Sequence, residues 1–227
     1  MRGLFVTGTD TGVGKTVLSA ALLAAMAAAG EQVRAHKPVL TGTEEQPDIW
    51  PADHVLLGMV AGMAPEQVAP LRFRAPASPH LAARMEGAQI DPAALVKRAR
   101  QAARGQHILV LEGVGGLLVP LTGSYSIADL ARELELPLLV AARPGLGTIN
   151  HTLLTLRTAR AAGLDVRAVV LTPWPEHPSE IELSNRETIE RLGEIEVQTL
   201  PPVKDPDAQA LAEAGQALPW RSWLAGG

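Results

Sequence analysis

A glycine-rich turn between an apolar strand and an alanine-rich helix constrains the fold of this chain most strongly. The segment Phe5–Thr16 has the sequence FVTGTDTGVGKT. Its glycines allow successive N–H groups to converge on one anion, and the positive end of the following helix would point to the same place. A helix end contributes only about 0.3–1 kcal/mol per charge. A bound triphosphate would therefore also need the Lys15 ammonium and a divalent cation held by the Thr16 hydroxyl.

The segment departs in one position from the strict phosphate-loop pattern G-x-x-x-x-G-K-[ST]. Thr9 stands where the first glycine is expected, and Gly8 precedes it. A glycine-rich strand-to-helix turn with a solvated lysine is the alternative explanation. The strand before the turn, the helix after it and an acidic residue downstream favour nucleotide binding.

That acidic residue is Glu112, which follows the apolar stretch Ile108–Leu111 and precedes the glycine-rich stretch Gly113–Gly116. A run that is apolar at every position is typical of a strand buried on both faces. In a phosphoryl-transfer site an acid at the end of such a strand holds Mg²⁺, and the glycines let the backbone approach the nucleotide. The alternative is a carboxylate that ends a strand in solvent.

Two further candidates follow from the apolar stretch Val33–Val39. Lys37 lies in this stretch and Thr41 follows four residues later, so both would lie near the γ-phosphate of a bound nucleotide. Lys37 could stabilise the charge of the transferring group. Asp53, at a predicted helix start, could be a second metal ligand. Taken alone, a lysine before a proline is usually an ordinary surface residue, and an isolated aspartate such as Asp53 is no more informative.

Apolar runs alternate with helix-length stretches along the whole chain. The predicted strands are Leu4–Val6, Val33–Val39, Ile108–Leu111, Leu138–Ala142, Val166–Leu171 and Val197–Leu200. This alternation predicts an α/β fold of the P-loop NTPase type, with a doubly wound, mostly parallel sheet and helices on both faces. We expect a single domain over residues 1–227, with ligands at the carboxyl ends of the strands.

The composition excludes several kinds of site. Without cysteine, the chain forms neither disulfides nor thiolate metal sites, which suits a reducing cytoplasm. The net charge of −4, two Phe and one Tyr provide neither a basic surface nor a stacking platform for nucleic acid. The run Val17–Ala29 is too short and too weakly apolar to span a bilayer. We expect a cytoplasmic protein that binds small molecules and contacts neither nucleic acid nor membrane.

Five stretches together resemble the dethiobiotin synthetase family, which forms a ring in biotin biosynthesis at the expense of ATP. They occur in the family's order and are GTDTGVGKT, HKPVLTG, Ser78-Pro79-His80, LEGVGGLLVPL and PGLGTINHTLLT. The resemblance extends from about Leu4 to Pro202. The combination is far more specific than the phosphate loop, which many nucleotide-switch ATPases share.

The resemblance implies a ligase that uses ATP, Mg²⁺, carbon dioxide and 7,8-diaminononanoate. One amine of the diamine takes up carbon dioxide as a carbamate, ATP phosphorylates the carbamate, and the second amine closes the ring to give dethiobiotin, ADP and phosphate. Lys15 and Lys37 would be the catalytic residues that neutralise the phosphoryl and carbamate charge. Thr16, Asp53 and Glu112 would hold the Mg²⁺.

The resemblance also implies which positions contact the ligands. The substrate and its carbamate would be bound by Thr11, Lys37, Thr41, Gly147 and Asn150. The loop Gly147–Asn150 would meet the tail of the diamine across a homodimer interface. The nucleotide and its metal would be bound by Gly12, Val13, Gly14, Lys15, Thr16, Val17, Asp53, Glu112, Gly113, Val114, Gly115, Thr172, Pro173, Pro201, Pro202 and Val203.

Two positions depart from the family's pattern. Thr172 follows an apolar strand where many relatives carry an asparagine whose amide recognises adenine. A hydroxyl cannot form the bidentate pair of an amide. We therefore predict that selectivity for the base is relaxed, so that other nucleoside triphosphates also serve as substrates. Alternatively, backbone atoms near Pro201–Val203 provide the selectivity. Gly12 stands where some relatives have a glutamate, so no side chain acts there.

Two other classes of protein share the phosphate loop. A nucleotide-switch ATPase of the partitioning or cell-division type normally carries a second lysine near the start of this loop, where the present chain has Asp10. The chain also lacks the basic surface or terminal amphipathic helix that such proteins use on DNA or membranes. An amide-forming ligase domain of cofactor synthesis would normally be fused to a glutaminase, and a cysteine-dependent one is excluded here.

Overall fold

Six parallel strands form one sheet in the computed structural model, which describes residues 1–44 and 50–225. The strands are β1 (Gly3–Gly8), β2 (Val33–His36), β3 (Ile108–Gly116), β4 (Leu138–Ala142), β5 (Val166–Leu171) and β6 (Glu196–Thr199). Their order in the sheet is β2-β3-β1-β4-β5-β6, and each neighbouring pair is parallel. The predicted single domain also spans residues 45–49 and 226–227, which lie outside the described residues.

Helices connect the strands and cover both faces of the sheet. They are α1 (Lys15–Ala28), α2 (Asp53–Ala61), α3 (Pro65–Val68), α4 (Pro79–Met85), α5 (Pro92–Ala102), α6 (Ile127–Leu134), α7 (Thr148–Ala161), α8 (Glu180–Gly193), α9 (Ala208–Gly215) and α10 (Trp220–Leu224). No helix of the described residues is both long enough and apolar enough to cross a membrane.

Successive residues of β1 enter two different hydrophobic cores. Phe5 packs into the core beneath α4 to α8, whereas its neighbours Leu4 and Val6 pack into the core beneath α1, α2, α9 and α10. Side chains alternate across a strand, so a strand covered on both faces has to be apolar at every position. The two cores confirm the predicted α/β fold with helices on both faces.

The bounds of β4 and β5 match the prediction, those of β1 and β6 differ by one or two residues, and the ends of β2 and β3 differ most. β2 ends at His36 instead of Val39, because the Lys37 N–H donates to the Val68 carbonyl, 2.8 Å away, and the chain leaves β3. β3 continues to Gly116, so Glu112 lies within a strand and not after its end. The register between β1 and β3 shifts before Gly8, which then pairs with Gly116. The second glycine-rich stretch therefore lies directly beside the phosphate loop.

Candidate active site

A cavity of about 800 Å³ opens at the carboxyl ends of β1, β2 and β3. Parallel strands end at the same edge of a sheet, so the segments that follow these three strands meet there. The cavity is lined by Thr11, Gly12, Gly14, Lys15, Thr16, Val17, Lys37, Leu40, Thr41, Gly42, Trp50, Pro51, Asp53, Leu56, Pro76, Ala77, Ser78, Pro79, Glu112, Val114, Gly115 and Val119.

The phosphate loop ends at Gly14, whose backbone is left-handed with φ of 90°. Glycine adopts this conformation without strain. A Cβ at this position would also lie only 2.7 Å from Cγ2 of Thr172. α1 begins at the next residue, so the free N–H groups of its first turn lie at the wall of the cavity, as an anion site requires.

Lys15 is buried at the start of α1, and its Nζ donates a hydrogen bond to the Asp10 carbonyl oxygen at 2.8 Å. Burial lowers the pKa of Lys15, because it removes water from the ammonium. The charge of Glu112 acts in the opposite direction and that of Lys37 in the same direction, and the net pKa stays below its ordinary value. The loop's own backbone thus orients one cation of the site.

Lys37 provides a second cation, held between two carboxylates. Its Nζ lies 2.5 Å from Oδ2 of Asp53 and 2.5 Å from Oε1 of Glu112. Lys37 is 4% exposed and Glu112 is 0% exposed. Burial alone would lower the pKa of Lys37, but the charges of Glu112 and Asp53 outweigh it and raise the pKa above its ordinary value. Lys37 therefore carries its charge throughout the neutral pH range.

Asp53 enters this cluster as the first residue of α2. Burial alone would raise the pKa of its carboxyl group, but the Lys37 ammonium outweighs burial and keeps the pKa below 3.8. The positive end of α2 also favours a carboxylate at this position. Asp53 is thus ionised at neutral pH and faces the cavity.

The cluster offers hard oxygen ligands for a divalent cation. The Thr16 hydroxyl donates to Oε1 of Glu112 at 3.0 Å. The other oxygen of Glu112, Oε2, is buried without a hydrogen-bond partner in the described part of the chain. Mg²⁺ typically takes one or two carboxylates and completes its shell with water and phosphate oxygens. Two carboxylates and one hydroxyl therefore fit Mg²⁺, although residues 1–44 and 50–225 hold no cluster of three or more His, Cys, Asp or Glu suited to a metal.

The structure brings many of the predicted site residues into this cavity and leaves others outside it. Inside are Thr11, Gly12, Gly14, Lys15, Thr16, Val17, Lys37, Thr41, Asp53, Glu112, Val114 and Gly115. Val13 lies in the hydrophobic core behind the loop, where it is 4% exposed. A Cβ on Gly113 would lie 3.2 Å from both Phe5 and Ile127, so this residue is packed against the core.

The residues predicted to contact the nucleotide base form a separate group at the ends of β5 and β6. The Leu200 N–H donates to the Leu171 carbonyl at 3.0 Å, and the Trp174 N–H donates to the Leu200 carbonyl at 2.8 Å. These bonds hold Thr172–Pro173 and Pro201–Val203 side by side. The group adjoins the phosphate loop, because Thr172 contacts Gly14, but it does not line the cavity.

Gly147 and Asn150, predicted to meet the substrate's tail, lie at the N-terminus of α7 and outside the cavity. Both are exposed, and the neighbouring Leu146 is 98% exposed. Asn185 supports this loop from α8, since its Nδ2 donates to the carbonyls of Pro144 and Gly145.

Two residues at this edge of the sheet were missed by the sequence analysis. Arg143, directly after β4, donates from Nη2 to the Gly12 carbonyl at 3.0 Å and so holds the phosphate loop. Its position after an apolar strand resembles that of Lys37 after β2 and was a usable signal. Trp50 lines the cavity, and no sequence pattern pointed to it.

Comparisons with known proteins agree over nearly the whole chain. A family model described as an AAA domain matches residues 2–206. The ATP-dependent dethiobiotin synthetase of Anaeromyxobacter dehalogenans (strain 2CP-C) is 44% identical over 96% of this chain and 97% of its own length. That of Bacillus subtilis (strain 168) is 36% identical over 89% of this chain and 87% of its own length.

Solved structures resemble the chain at lower sequence identity. A ParA family ATPase from Chlorobium tepidum TLS has a TM-score of 0.51 and 14% identity, and covers 98% of this chain and 94% of its own. The MinC:MinD cell division protein complex of Aquifex aeolicus has a TM-score of 0.52 and 15% identity, with 96% of each chain covered. At these identities the likeness concerns the P-loop NTPase fold alone.

Proposed function

This chain belongs to the family of ATP-dependent dethiobiotin synthetases, and we propose that it closes the cyclic urea of dethiobiotin from 7,8-diaminononanoate, carbon dioxide and ATP. It is an ATP-dependent ligase with a phosphate loop. The observation that carries the proposal is the buried Lys37 ammonium, held between Asp53 and Glu112 beside that loop.

The proposed reaction has three steps. One amine of the diamine adds to carbon dioxide and loses a proton, which gives a carbamate. The terminal phosphoryl group of ATP passes to a carbamate oxygen, and ADP leaves. The second amine then attacks the carbonyl carbon, phosphate leaves with the C–O bond electrons, and a proton is released as the ring closes. Phosphoryl transfer depends mainly on positioning and on stabilisation of charge.

Lys37 suits the charge-stabilising role in the second step. Its raised pKa keeps it protonated, so it would act as a fixed positive charge toward the carbamate and the transferring phosphoryl group and not as a base. Lys15 would contact the phosphate oxygens of the nucleotide. Thr11 and Thr41 line the same cavity, and their hydroxyl groups would hydrogen-bond the substrate's carbamate.

Thr16, Asp53 and Glu112 would hold Mg²⁺, whose charge would neutralise the phosphate oxygens. The buried Oε2 of Glu112, which has no partner among the described residues, supports this assignment because an unpaired buried carboxylate oxygen is costly. The Thr16 hydroxyl already orients the other oxygen of Glu112.

The group Thr172–Pro173 and Pro201–Val203 would surround the base, with Gly12–Val17 and Gly113–Gly115 along the phosphates. Gly147 and Asn150 would meet the diamine's tail in a homodimer. Their exposure, together with that of Leu146 and Leu154, supports an interface at the N-terminus of α7. We propose the cytoplasm as the compartment, where ATP and Mg²⁺ are supplied.

The decisive experiment measures phosphate release from ATP, Mg²⁺ and bicarbonate with and without 7,8-diaminononanoate, while mass spectrometry follows dethiobiotin. We expect release that depends on the diamine and a product at the mass of dethiobiotin. Hydrolysis that ignores the diamine, or no hydrolysis at all, would contradict the proposal and favour a nucleotide-switch ATPase. Analytical ultracentrifugation of the same sample would test the homodimer.

A further inference from the structure

A second cavity, of about 620 Å³, lies beside the edge strand β2. It is bordered by β2, α3, α5 and the segment between α5 and β3. Its lining includes the guanidinium groups of Arg34, Arg98 and Arg104 and the imidazoles of His36 and His107. No carboxylate lines it in the part of the chain that the structure describes.

The three arginines of this cavity lack acidic partners. Arg34, Arg98 and Arg104 make no salt bridge within residues 1–44 and 50–225, and no carboxylate of these residues lines the cavity. Like charges that converge on one cavity repel each other unless an anion joins them. The cavity therefore has an excess of positive charge that the described residues do not neutralise.

His36 adds a buried polar group without a partner. It is 2% exposed, and neither Nδ1 nor Nε2 makes a hydrogen bond in the described chain. Burial lowers its pKa to about 4, and the charge of Arg98 adds to this effect. The Val68 carbonyl acts in the opposite direction but makes no hydrogen bond of normal geometry with the ring. A buried N–H that is left unpaired is costly.

We propose that this cavity binds a small polyvalent anion of the phosphate or diphosphate class. Arg34, Arg98 and Arg104 would contact its oxygens, and the neutral ring of His36 would donate a further hydrogen bond. Guanidinium groups match phosphate geometry because two N–H groups can reach two oxygens at once. The site is separate from the phosphate loop, with which it shares no lining residue.

Imidazole NMR signals can test this proposal, because different histidines report on the two cavities. His36 and His107 line the second cavity, while His54 follows Asp53 of the first. Inorganic pyrophosphate and, in a parallel arm, ADP are titrated into the Lys15→Ala variant at constant ionic strength. We expect saturable shifts of His36 and His107. A response to pyrophosphate alone would identify a free anion as the ligand, and a response to both would identify the diphosphate unit.

Arg98→Ala and Lys97→Ala form a matched pair for this titration. Both residues are exposed on α5, and only Arg98 lines the cavity. Loss of one charge-assisted contact should weaken anion binding about tenfold in Arg98→Ala, whereas Lys97→Ala should bind as the parent does. No saturable shift of His36 and His107, or equal weakening in both variants, would overturn the proposal. Because the signals of His36 and His107 are independent of turnover, the result also stands apart from the ligase reaction.

Discussion

Lys37 and His36 are neighbours in the chain, and both are almost fully buried, but they face different cavities. Lys37 lies between two carboxylates and keeps its proton, whereas His36 lies among arginines and has a pKa of about 4. Burial disfavours the charged form of both side chains. Carboxylate partners therefore make the difference: they outweigh burial at Lys37, whereas burial prevails at His36 and the charge of Arg98 adds to it.

The two cavities differ in the same way as these two residues. The first balances buried cations with Asp53 and Glu112, so it can hold a charged lysine ready for a reaction. The second has arginines without acidic partners among the described residues, which suits the anion proposed for it. Four substitutions test this contrast.

The largest effect is expected for Lys37→Ala. Removal of a charge that stabilises the transferring group should lower kcat by about 10²–10³-fold. Binding of MgADP should persist, because the loop, Lys15 and Thr16 remain. Steady-state phosphate release and calorimetric titration with MgADP measure the two quantities. Lys97→Ala, which removes an exposed lysine from α5, is the control, and wild-type turnover in Lys37→Ala would refute the role of Lys37.

Glu112→Gln should change the requirement for Mg²⁺. The substitution keeps the size of the side chain but removes the charge that faces Lys37 and Thr16. We expect the Mg²⁺ concentration at half-maximal turnover to rise about 10–100-fold. A magnesium titration of the initial rate measures this. Glu187→Gln, an exposed acid on α8, should behave as wild type, and an unchanged magnesium requirement in Glu112→Gln would make Glu112 purely structural.

His36 should make the protein less stable in mild acid. Its pKa falls from 6.5 to about 4 on folding, so the unfolded chain binds the extra proton between these values and stability is lost as the pH falls. Linkage gives a loss of roughly 2 kcal/mol in the free energy of unfolding between pH 7 and pH 5.

Urea unfolding of the wild type and of His36→Leu at both pH values measures this contribution. The variant should lose less stability than the wild type by roughly 2 kcal/mol, because it has no group that must stay neutral in the fold. Equal losses would mean that His36 is protonated in the folded state. A bound anion would oppose the effect, so the comparison is made in buffers without phosphate.

The smallest effect is expected at Thr172, next to the phosphate loop. The wild-type enzyme should turn over GTP and CTP at rates comparable to ATP, because one hydroxyl cannot make the bidentate pair of an amide. Thr172→Asn should raise the preference for ATP about tenfold, the value of roughly one additional hydrogen bond. Competition assays with mixed nucleotides measure the preference. A strong preference for ATP in the wild type would contradict the prediction.

Local sequence patterns were sufficient for most of the fold. All six strands were predicted, since a parallel strand covered on both faces is apolar at nearly every position. The end of β2 was misplaced by three residues, because the Val68 carbonyl, remote in sequence, takes the Lys37 N–H away from the sheet. The end of β3 was misplaced because a strand can continue through glycines when a neighbour such as Gly8 pairs with them.

The phosphate loop was recognisable from the sequence because its glycines, lysine and threonine act within one short segment whose spacing follows from backbone geometry. The sequence also selected Lys37, Asp53 and Glu112 as candidates. Only the tertiary structure placed the lysine between the two acids, because this depends on the meeting of β2, α2 and β3. No sequence pattern indicated the second cavity. Its arginines come from distant parts of the chain, and only the tertiary structure brings them to one cavity. Charge depends on environment, and environment is decided by contacts between residues distant in sequence.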